Sequence, residues 1–147
     1  MATTSINTAV EHCDTLTALR TYRAPQQGVR DDKFDIAKRQ AHFLSSLLAA
    51  STEQIPMRLL EVIDGLHLVY ANDIPWHSTS FRRADRWFIH VRASDSADVQ
   101  TFSMLRELKY IIDRDARGDN SRGGVAATLA DYFASQVIAQ AGQASRK

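Results

Sequence analysis

The feature that most constrains this chain is a double switch in the period of its apolar residues. From Phe34 to Asp64 they recur every three or four positions. Between His67 and Val91 they fall in short β-branched and aromatic runs, and from about Ser96 helical spacing returns. Helices bury a stripe of period 3.6 and half-buried strands a face of period 2, so neither an all-helical bundle nor a β-sandwich fits this order. The pattern predicts helix, helix, strands, helix, helix. That is an α+β domain with helices packed around a small antiparallel β-sheet.

The individual elements follow from local chemistry. Ala37, Ala41, Leu44 and Leu48 make one stripe of a helix over 34–50, widened by Phe43 and Leu47. Pro56 suits the first turn of a second helix that buries Leu59, Leu60 and Ile63 and stops at Gly65. Strands are expected at 67–71 (HLVYA) and 87–91 (WFIHV), with a third, edge strand at 79–83 and a turn at 84–86. Strands this close in sequence are expected to pair antiparallel. The run 94–98 (SDSAD) supplies N-cap chemistry for a helix to about Arg114. A polar, glycine-rich loop at 115–124 leads to a last helix over about 125–140, with Leu129, Phe133 and Val137 on one side. Ile6, Val10, Cys13 and Leu16 suggest a helix over 5–20, and Pro25, Gly28 and the charges of 22–33 read as a linker. The division is an N-terminal arm (1–33), the domain proper (34–141) and a frayed tail (142–147).

Composition excludes several classes of function. Lys+Arg 18 against Asp+Glu 17 gives a net charge of +1, too little to draw the whole chain to nucleic acid. Cys13 is the only cysteine, so an internal disulfide and a multi-cysteine zinc site are both excluded. No apolar run approaches the roughly 20 residues that span a bilayer, and the first ten residues (MATTSINTAV) lack the pattern of a signal peptide. The expectation is a chain in a reducing cytoplasm, away from membranes.

The most informative segment is 102–112 (FSMLRELKYII). In a zincin helix two histidines at i and i+4 face one metal, and a glutamate after the first polarises the bound water. Here Arg106 and Tyr110 occupy the two histidine positions, and Glu107 follows Arg106. The segment resembles the signature helix of the ImmA/IrrE family of metallopeptidase-like proteins, roughly F-T-L-A-H-E-L-G-H-L-L, with Phe102, Glu107 and Leu108 retained. Residues 86–91 (RWFIHV) are similar to the strand that precedes this helix in the family. Residues 129–138 (LADYFASQVI) are similar to its later helix, E-x-x-A-N-x-F-A-x-x-L-L, through Ala130, Phe133 and Ala134. The resemblance covers about 34–140. It implies a zincin-like domain with an N-terminal helix, a short helix, a small sheet and then this helix.

The departures from the family decide what the resemblance implies for function. Both histidine ligands are absent, and the third ligand, a glutamate, should fall near 127–129, where no acid stands. Asp131 matches the family's asparagine, and Lys109 stands where the family has glycine before its second histidine. A catalytic zinc site takes about three protein ligands, and a guanidinium has no free lone pair and stays charged. Arg106 is therefore expected to fill the metal position, paired with Glu107 or Asp131. The implied protein is a pseudo-peptidase without cofactor or metal. Such domains accompany helix-turn-helix repressors in phages, mobile elements and stress responses, so a repressor or similar regulator is the expected protein partner.

Other residues admit other readings. Without the resemblance, Arg106, Glu107 and Tyr110 read as a solvated helix face. A hydrolase with altered ligands would draw on His90, Glu107 and Asp131. His67 and His90, on the two main strands, would face each other across the sheet. Trp76 reads as a binding residue or as a lid over the core. Arg82, Arg83, Arg86 and Arg92, interleaved with Phe81, Trp87 and Phe88, form the densest basic and aromatic cluster. That cluster is either a nucleic-acid-binding surface or a solvated edge protected against pairing. Trp76, Arg82, Arg83, Arg86, Trp87 and His90 are the candidate partner-binding residues. A peptide is expected in a cleft beside the 87–91 strand, paired with its edge.

Overall fold

The structure, a computed structural model, describes residues 14–22, 32–114 and 123–145. The expected helical residues 5–13, with Cys13, most of the 22–33 linker and most of the 115–124 loop lie outside these. The described chain forms α1 (Thr15–Arg20), α2 (Lys33–Leu48), a 3₁₀ turn (Thr52–Gln54), α3 (Ile55–Val62), β1 (Leu66–Ala71), β2 (Ser78–Arg83), β3 (Arg86–Arg92), α4 (Ala97–Asp113) and α5 (Val125–Ser145). The class is α+β.

Helix boundaries fall where the capping chemistry puts them. The Asp32 side chain accepts from the Phe34 N–H at the start of α2, and that of Ser96 accepts from Val99 at the start of α4. Ser51 and Gln54 form a reciprocal capping box before α3, and Pro56 sits in the first turn of α3. α5 runs five residues past the expected end at Gln140, because its apolar stripe continues from Val137 to a buried Ala141. The tail assigned to 142–147 is thus helical through Ser145. α5 packs against both α2 and α4, and α4 in turn packs against the sheet. Leu44, Leu48, Leu59, Ile89, Leu105, Leu108, Ile111, Phe133 and Val137 fill one core. Leu16 and Leu19 of α1 are buried in that same core, so the described part of the arm is integral to the domain.

The sheet is mixed, which corrects the all-antiparallel expectation. Its strand order is β1-β3-β2. β2 and β3 form the expected antiparallel hairpin, while β1 runs parallel to β3, with Leu66 opposite Trp87 and Ala71 opposite Arg92. The cause is burial. β3 sends Trp87, Ile89 and Val91 into the core, whereas β2 (STSFRR) has little to bury and goes to the edge. The connection at 72–77 must then pass the end of β3. Two strand spacings are about 10 Å, well within the reach of six extended residues.

Two polar devices tie the helices together. Arg20 of α1 donates through Nε to the Ile112 carbonyl at 3.1 Å and through Nη2 to the Ile111 carbonyl at 2.7 Å, capping the C-terminus of α4. Lys109 of α4, only 3% exposed, donates through Nζ to Gln40 Oε1 at 2.7 Å and to Asp113 Oδ1 at 2.8 Å. Gln40, itself buried, donates onward to the Leu19 carbonyl at 3.0 Å.

Two consequences are measurable by equilibrium denaturation. Arg20→Met keeps the apolar stem and removes both charged donors, so it should cost about 1.5–3 kcal/mol. Ala49 ends α2 with φ 44°, a left-handed conformation in which Cβ is strained. Ala49→Gly should therefore raise stability by about 0.4–1 kcal/mol.

Candidate functional site

α4 lies between the sheet and α5, so its successive residues serve different neighbours. Consecutive side chains on a helix are about 100° apart. Arg106 is directed to α5, where its Nε lies 2.5 Å from Asp131 Oδ1. Glu107 is buried toward the sheet, where its Oε2 accepts from the Ser78 hydroxyl at 2.8 Å. Tyr110, one turn after Arg106, is half-buried. Of the two partners open to Arg106, the structure selects Asp131. The Arg106 and Asp131 side chains are 25% and 55% exposed, so the pair lies at the rim between the helices. An ion pair that exposed contributes little to stability. It does fix a cation at the rim between α4 and α5. Lys109 is drawn into the core by Gln40 instead of lining this rim.

The alternative ligand sets do not assemble. Among the described residues no three His, Cys, Asp or Glu side chains gather as a metal site would require. His90 lies on the face of the sheet opposite α4, while Glu107 sits beneath the sheet and Asp131 on α5. His67 and His90 share a face without facing each other. His67 is opposite Phe88 and stacks on its ring at 4.8 Å, and His90 is opposite Val69, with the Phe81 ring 5.1 Å away.

The arginine cluster divides according to the period of the strands. Arg82 falls on the core-facing side with Trp87, its guanidinium 5.9 Å from the indole. Arg83 and Arg86 fall on the other face, opposite each other at the hairpin. Arg92 stands at the far end of β3. Trp87 is only 7% exposed and carries the Arg82 and Arg114 guanidinium groups over its ring. It is a core residue, which removes it from the candidate partner-binding set. A peptide paired with the edge of the 87–91 strand is also excluded, because both edges of β3 are occupied by β1 and β2.

Trp76 is 57% exposed, so it covers no core. Its loop is nonetheless held firmly. Asp95 receives Arg92 Nε at 3.1 Å and His77 Nδ1 at 2.7 Å, and Arg92 Nη1 also donates to the Pro75 carbonyl at 3.3 Å. Since an Nδ1 that bonds a carboxylate must carry the proton, His77 is the donor to Asp95. The nearby Arg92 Nη2, 3.0 Å from the same nitrogen, adds its charge rather than a hydrogen bond. The His77 bond, above all, holds the Asp95 carboxyl below its ordinary value of 3.8. Partial desolvation opposes this, and the bond and charge of Arg92 add to it.

Two arrangements escaped the sequence reading. One is the ring row His67, Phe88, Phe81 on the open face of the sheet, with Phe81 and Phe88 stacked at 5.2 Å. Alternation along each strand carries that signal once the strand order is known. The other is the Asp95 clasp, since 94–98 reads only as helix-capping residues. No family model, no curated protein and no solved structure matches the chain.

The clasp has a pH signature. A depressed carboxyl stabilises the fold above its unfolded value and loses that contribution as pH falls through its folded value. Trp76 should therefore become more accessible to acrylamide below about pH 4, read in a Trp87→Phe background. In Asp95→Asn that higher accessibility should be present already at neutral pH, with no acid step.

Proposed function

We propose that this chain is a catalytically inactive, ImmA/IrrE-like regulatory protein that acts by binding a protein partner, a transcriptional repressor or similar regulator. The observation that carries the reading is the Arg106–Asp131 ion pair. It sets a permanent cation where the resemblance calls for the first zinc ligand, and commits to that cation the only acid near the later motif. A guanidinium has no lone pair to ligate Zn²⁺, and its fixed charge repels the ion. The order helix, short helix, three-stranded sheet, helix, helix supports the same reading, being the order that the resemblance implies. The surface offered to the protein partner is the 72–77 loop, where Trp76 projects beside a backbone held by Arg92 and a His77 side chain held by Asp95. An indole on a pre-organised loop is a strong anchor, because little ordering entropy is lost on binding.

Two experiments test this reading. Elemental analysis of protein purified without a histidine tag should find no stoichiometric metal, and a chelator should leave its melting temperature unchanged. Restoring histidines in the double variant Arg106→His, Tyr110→His places two imidazoles at i and i+4 with Asp131 alongside. Zn²⁺ should then raise the melting temperature of the variant and leave the parent unmoved. Stoichiometric zinc or iron in the parent, or no response in a folded double variant, would overturn the site correspondence. For the partner, co-expression with a helix-turn-helix repressor encoded beside the gene should give a complex that Trp76→Ala weakens by at least about 2 kcal/mol. The absence of any complex would count against that choice of partner.

A further inference from the structure

We propose that the face of the sheet turned away from α4 binds single-stranded nucleic acid at its hairpin end. This site is separate from the Arg106 region and from the Trp76 loop. The strand registers place His67, Val69, Phe81, Arg83, Arg86, Phe88 and His90 on this one face. The helix that packs on the sheet does so through the other face, on Trp87, Ile89 and Val91. Val69 and Phe81 are left 37% and 38% exposed.

Charge is what selects the occupant. Arg83 and Arg86 are directly opposite each other across the closing pair of the hairpin, and both are exposed. Like charges in a cross-strand pair repel, so this is a locally unfavourable choice of sequence. Among the described residues neither makes an ion pair. Asp85, in the turn between them, is the nearest acid in sequence and forms no ion pair with either. A pair of arginines held side by side on a rigid hairpin presents two guanidinium forks to an anion, and phosphate matches that geometry. Sequences break a local rule of this kind mostly where function requires it.

The rings beside the arginines narrow the anion to one that carries bases. Phe81 stands two residues before Arg83 on β2 and Phe88 two residues after Arg86 on β3, so the two rings are the next pair on this face. Phe81, Phe88 and His67 stack in a row across the strands at 5.2 and 4.8 Å. The row ends at Phe81, on an edge strand with no strand beyond it among the described residues. A base extends this stack over the outward side of the Phe81 ring while its phosphates meet Arg83 and Arg86. Stacking needs an unpaired base, so the ligand is single-stranded and contacted without sequence preference. A duplex offers no such base, and the face has no helix to enter a groove. A free phosphate or an acidic peptide would use the arginines and leave the rings idle.

The test is fluorescence anisotropy with labelled oligothymidylate and oligouridylate, competed by duplex DNA and by polyglutamate. Binding of the single strands should weaken with salt, with a slope of log K on log salt near about −1.4 for two neutralised phosphates. Phe81→Leu should weaken binding about tenfold or more. Arg83→Gln with Arg86→Gln should abolish most of the salt dependence. All three positions are exposed, so the variants should keep the circular dichroism and melting temperature of the parent. In NMR titrations the imidazole signals of His67 and His90 should shift on adding oligothymidylate, and that of His42 should not. No binding at low salt would overturn the proposal. So would equal competition by polyglutamate, which would point to an acidic protein partner, or binding that survives the arginine substitutions.

Discussion

The ammonium of Lys109 sets the terms on which the helices meet. A charge at 3% exposure is tolerable only if it is paired and hydrogen-bonded, since a bare buried ammonium costs far more than the whole stability of a domain. Asp113 supplies one acceptor from the same helix one turn on, and Gln40 supplies another from α2. Gln40 can present its oxygen to Lys109 only because its amide nitrogen is occupied by the Leu19 carbonyl of α1. One chain of hydrogen bonds thus fixes the positions of α1, α2 and α4 relative to each other. The apolar contacts around it fill space, and this chain specifies register. Arg20 adds a second tie between α1 and α4, from the carbonyl end of the helix.

With α4 held in that way, its remaining faces are free to diverge. Arg106 goes to α5 and Glu107 to β2, although the two are adjacent in sequence. Here they are parted by an ion-pair partner on α5 and a hydrogen-bond partner on β2. The two side chains therefore act as struts between layers, one to α5 and one to β2.

Much of this architecture was legible in the sequence. Asp32, Ser96 and Pro56 mark helix starts by local chemistry, and each helix stripe from Ala37 to Phe133 is a local repeat. The partner of β1 was not legible, because pairing across a long connection depends on which strand has most to bury. Trp87 and Arg82 looked like members of a surface cluster because adjacency in sequence was read as adjacency in space. Alternation along the strand sends Arg82 and Arg83 to opposite faces. Asp131 was one of two partners that the resemblance offered Arg106, the other being Glu107, and the structure pairs Arg106 with Asp131. The fate of Lys109 was not, since nothing around it distinguishes a buried lysine from a solvated one.

The placement of β3 between β1 and β2 has a consequence for how this sheet can fail. β1 and β2 share no ladder, so each is a sheet strand only by virtue of β3. Loss of β1 would leave a hairpin, and loss of β2 would leave a parallel pair. Loss of β3 leaves no two strands in register at all. The sheet is therefore cooperative by topology, with a single seven-residue segment whose disruption dissolves every interstrand bond at once. That segment is also the one carrying the core tryptophan, which makes the indole a built-in reporter of whether the sheet exists.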